Sequence, residues 1–395
     1  MSDAAAGDAP RDLGLDGLRG LAILLVVLYH AKLRGAGWLS AAAGAGWLGV
    51  DLFFVLSGFL ITRILLEQRA SPSYYRAFYA RRALRILPLY WLLLAAVLVL
   101  PALGVFGGLE RFWAPSSAHA GLWYWVFLGN LKDALAGGFQ HQLLAVTWSL
   151  AIEEHFYLAW PVLVRHFAPR LLERACLAAI ALALCARGAA LLADVQPLML
   201  YIVTPFRPDG LALGAWIALA ASRLGGVSPL AARAGPVFGL GALAALALVS
   251  LLIARPAALG ASPGLAMFAH PLMQTLGYPL VALGFSALLV GLLAAPAEAR
   301  VRRAFEAAPL RALGRYSYAI YLLHVPIIFL AGPYLFDPLA HGWPPLAAQL
   351  GIWVQVLAAC VLAGAVSWRL LEGPALGLRR YFPFRPGPDA AGIPR

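Results

Sequence analysis

The sequence is dominated by long apolar runs, each near the length of about 20 residues at which a helix crosses the hydrocarbon core of a bilayer. Candidate spans are Leu15–Leu33, Trp47–Leu66, Ile86–Val105, Val146–Val164, Ala175–Ala193, Leu198–Ala221, Gly235–Ala254, Leu272–Ala294, Tyr316–Leu335 and Leu346–Leu370. Composition agrees. The chain is 62% hydrophobic and 12% charged, against roughly 45–50% and 25% in soluble domains. The expected fold is all-α: a polytopic transmembrane helical bundle of about ten membrane-spanning helices. Gly121–Leu131 is too short to cross at about 1.5 Å per residue. Its Trp123, Tyr124 and Trp125 suit a re-entrant or interfacial segment.

Charge orients the bundle. With the N-terminus inside and ten crossings, 23 of the 30 Lys and Arg residues fall in cytoplasmic segments. A further crossing at Gly121–Leu131 would invert everything after it and spoil that asymmetry, so the positive-inside rule supports ten spans and cytoplasmic ends. The net charge of +12 is then explained by loop retention, and no nucleic-acid partner is expected. The expected partners are the lipid bilayer and the substrates. Residues 1–14 and 373–395 read as cytoplasmic tails around a membrane domain, 15–372. The first ten residues carry Asp3 and Asp8 and no Lys or Arg, so a basic signal-peptide start is missing and the first helix is expected to be an uncleaved anchor. Cys176, Cys185 and Cys360 sit in apolar stretches without metal-ligand spacing. They read as packing residues, and no metal is expected.

Ionisable groups inside a span are expensive and mark function. Arg19 and His30 are eleven residues apart on the first helix. At 100° per residue they share a face, about 16 Å apart along the axis. Arg81, Arg82 and Arg85 crowd the expected cytoplasmic start of the third helix. Cations there oppose the helix dipole, and a bound anion would relieve the conflict. The fourth span carries Glu153, Glu154 and His155, which suggests an interior polar site. The sixth is interrupted by TPFRPDG, with Arg207 and Asp209 either neutralising each other or lining a broken-helix site. In the ninth, Ser317, Tyr321 and His324 share one face. Asp51, at the outer end of the second span, reads as an interfacial acid or a helix cap.

Taken in order, LDGLRGLAILLVVLYH, GVDLFFVLSGFLI, RRALRILPLYW, TWSLAIEEHFYLAWP, FRPDGLALGA and RYSYAIYLLHVPI resemble the acyltransferase 3 family of integral membrane acyltransferases. The resemblance runs from about Leu15 to Glu372. It implies transfer of an acyl group, usually acetyl, from cytoplasmic acyl-CoA to hydroxyls of extracytoplasmic acceptors, as in O-antigen and exopolysaccharide acetylases. It marks Arg19 and His30 as the family's Arg-ten-residues-His motif and Arg82 and Arg85 as its Arg-x-x-Arg pair. Glu153 falls on its acidic residue after Trp148–Ser149–Leu150. The wider set of Asp51, Trp148, Glu154, Arg207, Asp209, Tyr321 and His324 is expected to form a substrate or structural polar site. Some members carry an esterase-like domain, so a separate partner of that kind is possible here.

A mechanism is expected from these depths. Arg82 and Arg85, with Arg19 or Arg81, would hold the phosphates of acyl-CoA, the donor substrate, since no permanently bound cofactor is expected. The pantetheine arm would run along the first helix toward His30. His30 would be general base or transient acyl carrier, oriented by Glu153. A proton-coupled transporter or flippase using His30, Glu153 and His324 is the competing class.

Overall fold

The computed structural model describes residues 12–32, 37–102, 121–254, 268–331, 337–339 and 341–385. Its long helices are α1 (Leu13–His30), α2 (Gly49–Glu67), α3 (Tyr74–Leu94), α4 (Thr147–His166) and α5 (Pro169–Leu192). They continue as α6 (Asp209–Leu224), α7 (Val227–Ala254), α8 (Tyr278–Ala294), α9 (Ala308–Pro326) and α10 (Pro345–Ser367). No strand occurs among the described residues. The chain is therefore an all-α membrane bundle.

Eight helices among the described residues are long and apolar enough to cross a membrane. The remaining two expected spans correspond to α4 and α6. Glu153, Glu154 and His155 lower the hydropathy of α4. α6 has only 16 residues because its span is broken. The chain enters it through the short helix Pro197–Ile202 and a 3-10 turn at Thr204–Phe206, as TPFRPDG predicts. The segment at Gly121–Leu131 forms two short helices, Gly121–Trp125 and Gly129–Leu135, neither long enough to cross. The expected span ends Leu33, Val105 and Leu335, and residues 1–11 and 386–395 of the expected tails, lie outside the described residues.

One expected helix start is corrected. α3 begins at Tyr74, twelve residues before the expected Ile86. Hydropathy marks where charge stops, but arginines are good helix formers, and the helix runs through them. The start of the helix is therefore about two turns from Arg81 and Arg82 and about three from Arg85, and its free N–H groups do not form an anion site with those arginines. The chain after Glu372, expected as a cytoplasmic tail, is structured as far as Arg385. It continues as Gly373–Gly377 and a 3-10 turn at Leu378–Tyr381, then packs against the start of α3. There Ser73 Oγ donates to the Pro383 carbonyl and accepts from the Arg385 N–H, both at 2.9 Å.

The bundle has a central set of helices and an outer shell. α3, α5, α7 and α10 present leucines and valines outward, among them Leu92, Leu182, Leu240, Leu243 and Val354, as lipid contact requires. Between apolar helices in lipid, close backbone approach is the main source of affinity. α2 meets α6 through Gly58 and Gly214, where an added Cβ would collide with the carbonyls of Leu211 and Val55. α1 meets α9 in the same way through Gly20 and Gly314, where a Cβ would strike Leu310 and Asp16. This second contact sets a parallel register. Ten residues beyond Gly20 is His30, and ten residues beyond Gly314 is His324.

Candidate active site

The two histidines meet where that register predicts. Nε2 of His324 lies 3.2 Å from Nδ1 of His30, and the rings are edge-on with centroids 4.8 Å apart. The surrounding carbonyls assign the protons, because a ring nitrogen beside a carbonyl oxygen must carry hydrogen. Nδ1 of His324 is 2.7 Å from the Tyr321 carbonyl and 3.1 Å from that of Ile320, so it donates. Its Nε2 is then a bare acceptor. Nδ1 of His30 is 2.9 Å from the Val26 carbonyl, so it also donates, toward Val26 and toward His324. The remaining nitrogen of His30, Nε2, holds a free lone pair. His324 is fully buried while His30 is exposed.

The end of α1 is held firmly. α10 donates from Trp353 Nε1 to the Leu28 carbonyl and from Gln349 Nε2 to the Ala31 carbonyl, both at 3.2 Å. These bonds satisfy acceptors that a helix C-terminus leaves open. Asp12 caps the other end, accepting from the Gly14 N–H at 2.9 Å.

From the histidines a chain of polar contacts runs inward. Three residues below His324, the Tyr321 hydroxyl donates to the Val146 carbonyl at 2.9 Å and accepts from Ser149 Oγ at 2.6 Å. One turn further along α4, Glu153 accepts from Ser57 Oγ of α2 at 2.7 Å. One turn beyond that, Tyr157 lies under the Arg82 guanidinium, 5.2 Å from ring to cation. Glu153 was expected beside His30. It lies instead about 10 Å deeper along the bundle axis, by helix rise. Its hydrogen-bond partner is Ser57, and the charges of Arg82 and Arg19 act on it. The direct partner of His30 is His324.

The arginines gather at the far end. Arg85 feels the charges of Arg19 and Arg82 and stands 4.0 Å from Glu372. Glu372 is buried and accepts from Ser367 Oγ at 2.9 Å. Glu154 sits within the field of Arg82 and Glu153. Arg19 bonds Asp16 at 3.3 Å, and Asp16 lines a cavity of about 290 Å³ with Arg311, Arg315 and Tyr316. Arg19, Arg82 and Arg85 thus form one cluster of positive charge at this end. Arg81 points elsewhere. Its Nε donates to the Phe382 carbonyl at 2.9 Å, and it stacks over Phe384, so its observed role is to hold the C-terminal segment. Among the described residues no group of His, Cys, Asp or Glu is arranged to hold a metal.

The broken helix solves its charge problem differently from the simplest expectation. Arg207 and Asp209 do not pair with each other. Pro208 lies between them, and they reach separate partners. Arg207 bonds Asp51 of α2 at 2.8 Å. Asp209 takes a two-pronged contact from Arg187 of α5 at 2.8 and 3.0 Å. Arg187 also donates to the Phe206 carbonyl. All four side chains are buried. Asp51 is thus an ion-pair partner inside the bundle rather than an interfacial acid. Arg207 lies 3.7 Å over the Tyr278 ring and near Tyr201 and Trp148. Trp148 packs against Tyr201 at 4.6 Å.

Sequence reasoning missed Arg187 and Ser57 as members of these networks. Arg187 carried the usual warning of an ion within a span. Ser57 carried no distinguishing signal.

The segment between α3 and α4 buttresses the bundle. Tyr90 donates to the Tyr124 carbonyl at 2.6 Å, and Tyr124 donates to Asp133 at 2.8 Å. Asp133 also accepts from the Gln140 N–H at 2.9 Å. Burial raises the Asp133 carboxyl to about 6, against the hydrogen bonds that favour its charge. Burial lowers His141 to about 4.

A helical membrane bundle with a buried histidine contact at one end and an arginine cluster at the other fits a membrane enzyme. The family profile described as an acyltransferase domain matches residues 12–372, and the chain belongs to this acyltransferase 3 family. It is similar to the peptidoglycan O-acetyltransferase OatA of Listeria monocytogenes, 28% identical over 374 residues, covering 91% of this chain and 55% of that protein. It is also similar to the putative peptidoglycan O-acetyltransferase YrhL of Bacillus subtilis, 37% identical over 154 residues, covering 38% of this chain and 23% of that one. The O-acetyltransferase OatA of Staphylococcus aureus is 36% identical over 177 residues, 41% of this chain and 27% of that one. The chain thus spans about half the length of the Listeria relative and aligns with about a quarter of the other two. No solved structure is significantly similar to it.

Proposed function

We propose that this chain transfers an acyl group, acetyl by analogy with its relatives, from cytoplasmic acyl-CoA to a hydroxyl of a cell-envelope glycan such as peptidoglycan. The observation that carries this reading is the run of polar side chains, Tyr321, Ser149, Glu153 and Ser57, between two chemically different ends. The arginine end suits phosphates, because guanidinium forks match phosphate oxygens. The histidine end suits a hydroxyl nucleophile, because an imidazole base works near neutral pH. The charge asymmetry of the loops favours the arginine end and both chain termini in the cytoplasm of a bacterial inner membrane.

In this reading Arg82, Arg85 and Arg19 bind the nucleotide end of acyl-CoA, with the cavity at Asp16, Arg311 and Arg315 adjoining. The pantetheine arm follows α1 for the roughly 16 Å to His30. The acceptor oxygen bonds to the thioester carbonyl carbon while Nε2 of His30 takes the hydroxyl proton. The C–S bond then breaks, and the CoA thiolate takes that proton from Nε2. Glu153 acts in the arginine half, where it positions Arg82 through charge. A separate esterase-like partner would handle the acceptor outside the membrane.

The test uses purified protein in detergent with radiolabelled acetyl-CoA and a soluble glycan acceptor. The reading predicts label on the glycan without a sealed compartment. Proton-coupled movement of solute in sealed vesicles, with no acyl transfer in detergent, would establish a transporter instead.

A further inference from the structure

We propose that His324 is a positioning residue for His30: its Nε2 lone pair accepts the Nδ1–H of His30 and so turns Nε2 of His30, and only that nitrogen, toward the reacting groups. The proposal rests on the reading of His30 as the base.

Three observations carry it. The first is the direction of the hydrogen-bond chain. Tyr321 and Ile320 carbonyls take the Nδ1 proton of His324, which leaves Nε2 of that ring able only to accept. Among the described residues, its hydrogen-bond partner is His30. A buried ring nitrogen without a donor costs about 1–3 kcal/mol, so a histidine kept only for packing would be poorly chosen here.

The second is the alternative acceptor. The Val26 carbonyl also reaches His30 Nδ1, but it lies one turn back on the same helix and already accepts the last turn's backbone N–H. It favours one tautomer without fixing the swing of the ring. His324 approaches from another helix and fixes that swing.

The third is support behind His324. Its carbonyl partner Tyr321 is itself tied to α4 through Ser149 and Val146. The α1–α9 glycine contact fixes the register of both histidines. A base whose orienting partner is thus immobilised resembles the general arrangement of nucleophile, base and third group. Here a neutral imidazole replaces the usual carboxylate, which keeps a second charge out of the buried wall.

When Nε2 of His30 takes the acceptor proton, the ring becomes an imidazolium. The His324 lone pair then accepts from a stronger donor, so the contact tightens in the transition state. The effect should appear in kcat and not in KM for acyl-CoA, which binds at the other end.

The experiment compares His324→Leu, His324→Gln and His30→Ala in purified protein matched for thermal stability. Histidine-labelled 15N NMR of the resting protein and of His324→Leu accompanies the kinetics. Gln presents both a carbonyl acceptor for His30 and an amide donor for Tyr321. We expect kcat of His324→Leu to fall about tenfold or more with KM for acyl-CoA unchanged, and His324→Gln to recover most of that loss. The NMR of the wild type should show His30 protonated at Nδ1, with the other tautomer appearing in His324→Leu. Equal impairment of the Leu and Gln variants, a kcat of His324→Leu within twofold of wild type, or a wild-type His30 protonated at Nε2 would overturn the proposal. Full activity of His30→Ala would instead overturn the underlying reading of His30. The tautomer result stands without any turnover.

Discussion

The hydroxyl of Tyr321 lies 2.6 Å from the hydroxyl of Ser149, and this contact ties α9 to α4 one turn below the histidine pair. Above it, the Tyr321 carbonyl holds His324. Below it, Ser149 stands one turn from Glu153 and its Ser57 partner. Short polar side chains thus step from the histidine end toward the arginine end, one helical turn of α4 apart.

Arg82 and Arg85 should contribute to donor affinity while Arg81 should not. Each hydrogen bond to a charged group is worth about 1.5–3 kcal/mol. Arg82→Gln and Arg85→Gln are therefore expected to weaken CoA binding about tenfold to a hundredfold, read by isothermal titration. Arg81→Gln, whose guanidinium already serves the Phe382 carbonyl, should change CoA affinity by less than about threefold on the same reasoning. Equal losses in all three would reject this division of roles.

The Arg207–Asp51 pair is a structural joint of the broken helix. Removing one partner of a buried pair leaves a charge behind, at a cost of about 3–5 kcal/mol. Arg207→Ala is expected to lower the unfolding midpoint strongly. The double change Arg207→Met with Asp51→Leu should recover much of it, because no buried charge remains. A double variant as unstable as the single one would show that the pair does more than neutralise itself.

The glycine contact between α1 and α9 should matter as much to activity as to stability. In Gly314→Val the side chain would strike the Asp16 carbonyl, and the helices must separate or slide. The expected result is a large loss of acyl transfer in protein that still inserts, with the histidine pair opened. Cysteine cross-linking between α1 and α9 reports the spacing. Retained activity with unchanged cross-linking would contradict the register argument.

Acid should act on the α3–α4 connection through two opposing groups. His141 is lowered from an ordinary value of 6.5 to about 4, so the unfolded chain binds its proton first. Stability is lost as pH falls from about 6.5 towards 4. Asp133 is raised from 3.8 to about 6, so its protonation favours the folded state as pH falls through 6. His141→Asn should therefore flatten the acid loss of thermal stability, and Asp133→Asn should steepen it. Identical pH profiles for the two variants and the wild type would contradict these assignments.

Much of this was legible in the chain. Runs of about 20 apolar residues gave the helices, and the eleven-residue step from Arg19 to His30 placed both on one face. The i, i+4, i+7 pattern put Tyr321 and His324 together on a buried stripe. What periodicity cannot supply is the register between helices. The His30–His324 pair depends on the contact of Gly20 with Gly314, and glycines in apolar runs look alike. The partners of Arg207 and Asp209 were hidden for a related reason. They are two residues apart in sequence, but the turn at Pro208 sends their side chains to different helices. The hold of Phe382 on Arg81 bridges 301 residues of sequence and leaves no local pattern. The start of α3 was misplaced because charge ends a hydropathy window without ending a helix.

In the proposed reaction Nε2 of His30 takes the acceptor's proton during acyl transfer. Its most direct measurement is the rate of label transfer from acetyl-CoA to a glycan acceptor by purified His30→Ala, matched to wild type in folding and in CoA affinity. The expected result is a loss of about a hundredfold or more with CoA binding intact. A variant that transfers acyl groups at the wild-type rate would contradict it.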